Sequence, residues 1–344
     1  MIDRMSLQTL RGLACILLVF YHVVGATPSQ GLMISDGIWR SLNDALVPLR
    51  MPLFALIAGA LWTLEKRRGW SLVKDKFQRL WLPMFSVGTL FALVQAAVPG
   101  TSSDSTDWYM LHFMPVAHFW FLASLFLIFL ICALFPAGWQ MNPTSVWQQR
   151  GWLLILILSC IAYVAGWGVP WLGIAGALYL APFFIWGFGL AIWGSTWQIR
   201  YPGLRILIVV SACAMIAYSL WGGWALENRR QLSIISLSLL YATASWFSGL
   251  KVSWLIWLGD RSYTIFLFHV FFTAAIRLTM HAWDFSSIEL YLLAGVIFGV
   301  SGPVLLAAFL ARWPLLSWFL LGQRNETPAS AGIEASHTAK KGTS

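Results

Sequence analysis

The feature that most constrains this chain is a series of apolar runs, each about as long as a helix that crosses a lipid bilayer. A hydrocarbon layer about 30 Å thick takes roughly 20 helical residues to cross. Hydrophobic residues make up 59% of the 344 positions and charged residues only 10%, whereas a soluble domain carries about 25% charged residues. The sequence therefore predicts a protein whose main solvent is lipid.

The apolar runs favour helices over the strands of a membrane barrel. Each run is continuously apolar, whereas barrel strands alternate lipid-facing and polar residues over about ten positions. We therefore predict an all-α, polytopic membrane helix bundle. Its ten expected spans cover residues 7–25, 46–64, 77–98, 116–136, 151–168, 171–194, 204–223, 232–249, 255–281 and 288–312.

The positive charges predict the orientation. With the N-terminus inside, 17 of the 22 Lys and Arg residues fall on the cytoplasmic side and five outside, so the positive-inside rule puts both termini in the cytoplasm. The net charge of +9 then reflects topology and not nucleic-acid binding. A cleaved signal peptide is the alternative for the N-terminal segment, but the embedded His22 favours a retained first helix.

The remaining composition indicates one transmembrane domain over residues 1–322 and a disordered tail over 323–344. The tail is rich in Ala, Ser, Thr and Gly and has no apolar period, which is typical of disorder. All four cysteines fall inside predicted spans. Their spacing indicates neither a disulfide nor a metal site, so we expect no metal.

Arg11 and His22 are the most informative buried polar residues, because an ionisable side chain in hydrocarbon costs roughly 2.5 to 3.5 kcal/mol. Eleven residues are about three helical turns, so the two side chains project from nearly the same helix face, roughly 16 Å apart along the axis. A single long, thin ligand would contact both. Coenzyme A thioesters have that shape: arginine pairs with phosphate, and neutral imidazole accepts a proton.

A purely structural interpretation of this pair competes with the functional one. Arg11 would then be an interface anchor whose guanidinium reaches toward the headgroups, and His22 a hydrogen-bonded packing residue between helices. The shared face and the spacing favour function.

Four segments, in order, resemble the acyltransferase-3 family: LQTLRGLA at 7–14 leading to FYH at 20–22, MPLFALIAG at 51–59, HFWFL at 118–122 and LGDRSYTIFLFH at 258–269. That family carries Arg or Lys, ten residues, then His. The resemblance implies a ten-helix bundle of a bacterial inner membrane that passes an acyl group, commonly acetyl from acetyl-CoA, to a surface glycan. The chain departs from the family at Gln8, where Asp is frequent, and at Ala58, where Ser is frequent. The Gln form is similar to the branch that acetylates exopolysaccharides.

The resemblance also implies roles for the basic island between the second and third spans. Lys76 and Arg79, in a segment reading FQRL before Pro83, match the family's Arg-rich loop and would hold the nucleotide end of the donor. Positive charge beside this loop would also anchor it inside, so topology alone explains the island equally well. Ser262 and Tyr263 are expected to contact the donor as well.

Three more residues are candidates for binding the acceptor. His269 lies seven residues after Ser262 on the same helix face, so the two are expected to form a hydrogen-bonded pair that lines a cavity. His118 and Trp120 lie near the end of the fourth span, where they would meet a sugar by hydrogen bonding and ring stacking. The alternative for His269 is a satisfied core histidine, and interface packing explains His118 and Trp120 equally well.

The carboxylates fall at span ends, in loops or at the termini, which weakens the interpretation as a proton-coupled transporter or flippase. It also leaves His22 without an obvious carboxylate to orient its ring. A receptor or scaffold subunit is a third class. We expect an O-acyltransferase in which His22 is the general base or the acyl carrier, with Arg11 beside it in the site. The expected acceptor is a polysaccharide or a lipid-linked oligosaccharide. Succinyl and longer acyl groups remain open, as does the acceptor sugar.

Overall fold

A computed structural model gives the fold, and it describes residues 3–25, 31–98, 110–115, 117–135, 145–169, 171–221, 231–285 and 287–322. Every regular element in these ranges is helical, as predicted. The helices are α1 (Arg4–Val24), α2 (Ile38–Ala45), α3 (Val47–Trp62), α4 (Gly69–Lys76), α5 (Leu82–Ala97), α6 (Trp120–Cys132), α7 (Val146–Val164), α8 (Ile174–Arg200), α9 (Leu204–Leu220), α10 (Gln231–Ser248), α11 (Ser253–Asp260), α12 (Ser262–Ala282), α13 (Ile288–Leu310) and α14 (Pro314–Leu321).

Several of these helices are long and apolar enough to cross a membrane. They are Arg4–Val24, Ile38–Trp62, Gly69–Ala97, Trp171–Arg200, Ser262–Ala282 and Ile288–Leu310. Three apolar helices are shorter: Ala117–Cys132, Leu204–Leu220 and Ile234–Ser248. The count of ten spans and the side on which the termini lie therefore stay predictions. The expected disorder of the tail concerns residues outside the described ranges.

Two of the predicted spans consist of more than one helix. The second begins at Ile38, earlier than expected, and is divided at Leu46 between α2 and α3. The ninth is divided at Arg261, whose backbone leaves the helical conformation between α11 and α12. This division places Ser262 at the first turn of α12. A π-helical turn at Phe77–Trp81 joins α4 to α5, and such turns are common near functional sites.

The first helix lies at the centre of the bundle and packs against α3, α11, α12 and α13. Glycines allow the backbones to approach closely. A Cβ atom on Gly12 would lie 2.1 Å from the Leu255 carbonyl oxygen, and one on Gly259 would lie 2.1 Å from that of Gln8. Small residues at helix interfaces are the usual means of close packing in membranes, where water does not drive helix association. The resulting contact fixes the turn of α1 that carries Arg11.

Candidate active site

A cavity of about 220 Å³ opens between α1, α3, α6 and α12. One end is polar and the other is apolar. Its lining residues are Arg11, Phe54, Ile57, Ala58, Leu61, Trp62, Glu65, Lys76, Leu80, Phe121, Leu122, Leu125, Phe129, Ser262, Tyr263 and Phe266. A larger, open concavity between α4 and α6 has no ionisable side chain in its wall, so the cavity that contains Arg11 and Lys76 is the candidate site.

The polar end brings together residues that the sequence predicted for the donor site. Arg11, Lys76, Ser262 and Tyr263 all line it. Arg11 Nη1 donates to Gln8 Oε1 at 3.3 Å, and no ion pair is formed by this guanidinium within the described ranges. It is therefore available to bind an anion.

The Lys76 ammonium is already paired. It lies 2.9 Å from Glu65 Oε2 and 3.2 Å from Asp75 Oδ2. Burial raises the pKa of Glu65, but the hydrogen bond from Lys76 and the neighbouring positive charges outweigh that effect and hold the pKa below its ordinary value. Glu65 is thus ionised at neutral pH and partly neutralises the cavity mouth.

Arg79, also predicted to hold the donor, lies beside the cavity and not in its wall. Its side chain is 58% exposed, and Nε donates to Asp75 Oδ1 at 3.0 Å. The Tyr263 hydroxyl donates to the Arg79 backbone carbonyl, which ties the π-helical turn to α12. The guanidinium is therefore paired with Asp75 outside the cavity wall, and its predicted contact with the donor stays a prediction.

Three phenylalanines close the apolar end of the cavity. The ring centroids of Phe54 and Phe121 lie 6.0 Å apart, those of Phe54 and Phe266 6.2 Å, and those of Phe121 and Phe266 5.4 Å. These separations correspond to aromatic rings in contact. We call Phe54, Phe121 and Phe266 the phenylalanine layer.

Directly beyond this layer lie three histidines from three elements. The His22 ring centroid is 5.6 Å from that of His118 and 4.9 Å from that of His269, and the last two are 4.8 Å apart. The His118 ring lies 5.1 Å from Phe266. His118 and His269, predicted to bind the acceptor, are therefore neighbours of the predicted base. We call His22, His118 and His269 the histidine cluster.

His269 has a fixed tautomer. Its Nδ1 lies 2.9 Å from the carbonyl oxygens of Ile265 and Phe266. Because a carbonyl oxygen only accepts, Nδ1 carries the proton and Nε2 keeps its lone pair. Nε2 is buried and has no hydrogen-bond partner among the described residues. The expected hydrogen bond between His269 and Ser262 is not formed, since the backbone carbonyls one turn back hold the ring instead.

Trp120 lies outside the histidine cluster. Its ring centroid is 6.2 Å from that of Phe121 and 6.0 Å from that of Tyr179. It is half-buried and forms an aromatic wall with Tyr179. Its predicted role in binding a sugar stays a prediction.

The sequence interpretation missed Arg50, which it treated only as an outside charge. Arg50 is 3% exposed. Its Nη2 donates to the Asn43 backbone carbonyl and, at 2.7 Å, to Asn43 Oδ1. Its Cζ lies 4.3 Å from the Tyr21 ring. The membrane cost that singled out Arg11 applies equally to an arginine inside the second predicted span, and that signal would have identified it.

Asn43 connects Arg50 to the end of α1. Asn43 Nδ2 and Arg40 Nη1 both donate to the Gly25 carbonyl, at 3.2 and 3.0 Å. Gly25 is the C-cap of α1. The two side chains thus satisfy a carbonyl that a helix end leaves unpaired, and they fix the last turn of α1, which carries His22.

The histidine cluster is also a set of residues that could hold a metal ion. The nearest ligand nitrogens all lie within 4.8 Å of one another. Zinc bound by imidazole at about 2.0 to 2.1 Å would need them roughly 3.3 Å apart, so the rings would have to draw together. The ligands are 96 and 151 residues apart along the chain, which is why no motif spacing revealed them. The expectation of no metal stays a prediction.

The long apolar helices make the chain a multi-pass membrane protein. Residues 5–313 match a family model described as an acyltransferase domain. The chain therefore belongs to the acyltransferase-3 family, as its four motif segments predicted, and it is a membrane acyltransferase. No curated protein and no solved structure matches it.

Proposed function

We propose that the chain transfers an acetyl group from acetyl-CoA to a hydroxyl of a surface polysaccharide, in particular an exopolysaccharide. One observation carries the proposal: a cavity with Arg11 and Lys76 at its polar end is separated from the histidine cluster only by the phenylalanine layer. Membership of the family supplies the acyl transfer. The acetyl donor and the exopolysaccharide acceptor are proposed from the family resemblance, and the roles of individual residues are proposed from the geometry.

The size and polarity of the cavity support a thin donor. About 220 Å³ is below the roughly 300 to 1,000 Å³ typical of sites that enclose drug-sized ligands. It suits the pantetheine arm but not the nucleotide. The nucleotide phosphates would then lie at the mouth, on Arg11 and Lys76, with Arg79 turning in from the rim.

His22 is the proposed general base. In this role it takes the proton of the acceptor hydroxyl while the hydroxyl oxygen attacks the thioester carbonyl, and the CoA thiolate leaves and is protonated. Such a base is worth typically 10² to 10⁴ in rate. An acyl-imidazole intermediate on His22 is the second route. Trp120 and the aromatic rings beside it are proposed to contact the acceptor sugar.

His269 is the proposed positioning residue for His22, in place of a carboxylate. Its ring is held at Nδ1 by two carbonyls, its Nε2 is buried without a partner among the described residues, and its ring centroid lies 4.9 Å from that of His22. Nε2 would therefore accept a hydrogen bond from a His22 N–H and leave the other His22 nitrogen free as the base. No such hydrogen bond is present in the described part of the structure. Catalytic hydrogen bonds are often long before the substrate binds and shorten in the complex.

The test incubates purified protein with radiolabelled acetyl-CoA and glycan from the producing cells. Label should enter the glycan with the wild type and be lost in His22→Ala. The matched control is His112→Ala, because His112 is partly exposed and stacks on Phe85 with the ring centroids 3.8 Å apart. Full activity in His22→Ala would overturn the mechanism. Solute flux without label in the glycan would instead support the transporter or flippase.

A further inference from the structure

We infer that Phe54, Phe121 and Phe266 determine the acceptor specificity of the reaction by keeping water away from the donor thioester. The inference rests on the proposed function, because it concerns how the donor cavity communicates with the histidine cluster. It assigns a role to residues that neither bind phosphate nor exchange protons.

The phenylalanine layer separates the cavity from the histidine cluster. The three rings line the apolar end of the cavity, whereas none of the three histidines lines it. Phe121 and Phe266 are 5% and 4% exposed. The three rings are in mutual contact, and Phe266 both lines the cavity and contacts His118, so the layer lies between the cavity and the histidine cluster.

Helix geometry places the phenylalanine layer next to the histidine cluster. Phe121 follows His118 by three residues, and Phe266 precedes His269 by three. Three residues are about one helical turn, so each of these two phenylalanines lies on the same helix face as its histidine, one turn away. Phe54 on α3 completes the layer through its contacts with both rings. An apolar layer thus lies across the path directly before a polar one.

The donor would have to cross the phenylalanine layer. A thioester that reaches His22 must pass between the phenylalanine rings, since its phosphates stay at the polar mouth. The rings then surround the arm and fill the space beside it. Water, which competes with the sugar hydroxyl, is excluded because the layer offers it no polar partner, and a site for water needs two to four of them.

The reaction that the layer would suppress is hydrolysis. A water oxygen adds to the thioester carbonyl carbon, the carbon–sulfur bond breaks, and a carboxylic acid and the CoA thiol are formed. His22 would take the water proton and return it to the leaving thiolate. Excluding water from a closed site is a recognised way in which enzymes prevent such side reactions.

The experiment measures CoA thiol release from acetyl-CoA without any glycan, using the full chain in detergent. Phe121→Ala and Phe266→Ala should raise this rate roughly tenfold over the wild type, which corresponds to about 1.4 kcal/mol. Phe126→Ala is the matched control, because Phe126 is buried on the same helix as Phe121 but packs against Phe77 and Trp81 outside the cavity. The control should release CoA at the wild-type rate.

The outcomes separate this inference from the proposed function. If the wild type labels glycan but both alanine variants keep the wild-type rate of hydrolysis, the role of the layer is wrong and the transferase stands. If the wild type neither labels glycan nor consumes acetyl-CoA, the proposed function fails. Combining Phe121→Ala with His22→Ala should abolish the extra hydrolysis, since the water is activated at His22. Hydrolysis that persists in this double variant would contradict the proposed path.

A second variant guards against misfolding. Phe121→Leu keeps most of the apolar volume and removes only the planar ring, so it should fold where alanine does not. We expect a smaller rise in hydrolysis, about threefold, because a narrower gap admits less water. An unchanged rate in a folded Phe121→Leu protein would also overturn the inference.

Discussion

Replacing His269 by phenylalanine separates the two roles that this ring could have. The side chain is 0% exposed and Nε2 has no hydrogen-bond partner among the described residues. A phenyl ring nearly matches the shape of imidazole but has neither nitrogen. The substitution therefore keeps the packing and removes the lone pair that is proposed to orient His22.

The expected effect on stability follows from the two nitrogens. A buried polar atom without a partner costs about 1 to 3 kcal/mol, and the lost Nδ1–H bond contributes about 0.5 to 1.5 kcal/mol net. The carbonyl oxygens of Ile265 and Phe266 lie inside α12, so they still have backbone partners. The free energy of unfolding should stay unchanged or rise by up to about 2 kcal/mol.

Activity, in contrast to stability, should fall in His269→Phe. We expect kcat to fall about 100-fold, which is about 2.7 kcal/mol of transition-state stabilisation. KM for acetyl-CoA should stay within roughly twofold, because the phosphates bind at the far end of the cavity and that binding is the same in the ground and transition states. The assay follows labelled acetyl transfer at several acetyl-CoA concentrations and thermal unfolding in detergent, with His112→Phe as the control. Wild-type kcat, or a joint loss of activity and stability, would refute the reasoning and leave His269 a packing residue.

Three further predictions concern the cavity mouth, the helix packing and the metal. Lys76→Ala should raise KM for acetyl-CoA about tenfold with little change in kcat, whereas Glu65→Gln should lower KM by removing a negative charge from the mouth. If titrations give both variants the same KM, phosphate binding at the mouth is contradicted. Gly59→Ala should lower the free energy of unfolding by about 1 to 3 kcal/mol, and with it the unfolding midpoint, since a Cβ there would lie 1.9 Å from the Phe184 carbonyl oxygen. Gly151→Ala, with no atom within 4 Å, should leave the midpoint unchanged. Chelator treatment should leave activity intact, because the histidine cluster adjoins Arg50 and has no carboxylate among the described residues to offset the charge of a metal ion. Loss of activity together with release of a stoichiometric metal ion would show that the protein is a metalloenzyme.

The helical class and several residues of the cavity wall could be predicted because they depend on local information. Apolar runs report lipid exposure directly, and the spacing of Arg11 and His22 follows from helix periodicity alone. The four motif segments supplied the family. Lys76, Ser262 and Tyr263 lie in the cavity wall, and their contact with a donor stays a prediction.

The remaining features depend on how distant helices pack, which no local pattern records. The histidine cluster joins residues 22, 118 and 269 across three elements. The phenylalanine layer is assembled from three helices in the same way. Arg50 was missed because it was counted only as an outside charge, although the predicted span 46–64 contains it; in the structure α3 buries it. Arg79 matched the family's pattern, but the π-helical turn directs its side chain to Asp75 at the rim.

The central claim is that one donor lies in the cavity with its phosphates at Arg11 and its thioester at His22. A structure of the full chain with a non-hydrolysable acetyl-CoA analogue tests it directly. We predict that the phosphates lie within hydrogen-bond distance of the Arg11 guanidinium. The analogue's carbonyl carbon should lie about 3 to 3.5 Å from a nucleophilic atom positioned by His22, and the phenylalanine rings should be parted around the arm. An analogue bound with its carbonyl outside the histidine cluster, or with its nucleotide away from Arg11, would contradict the claim.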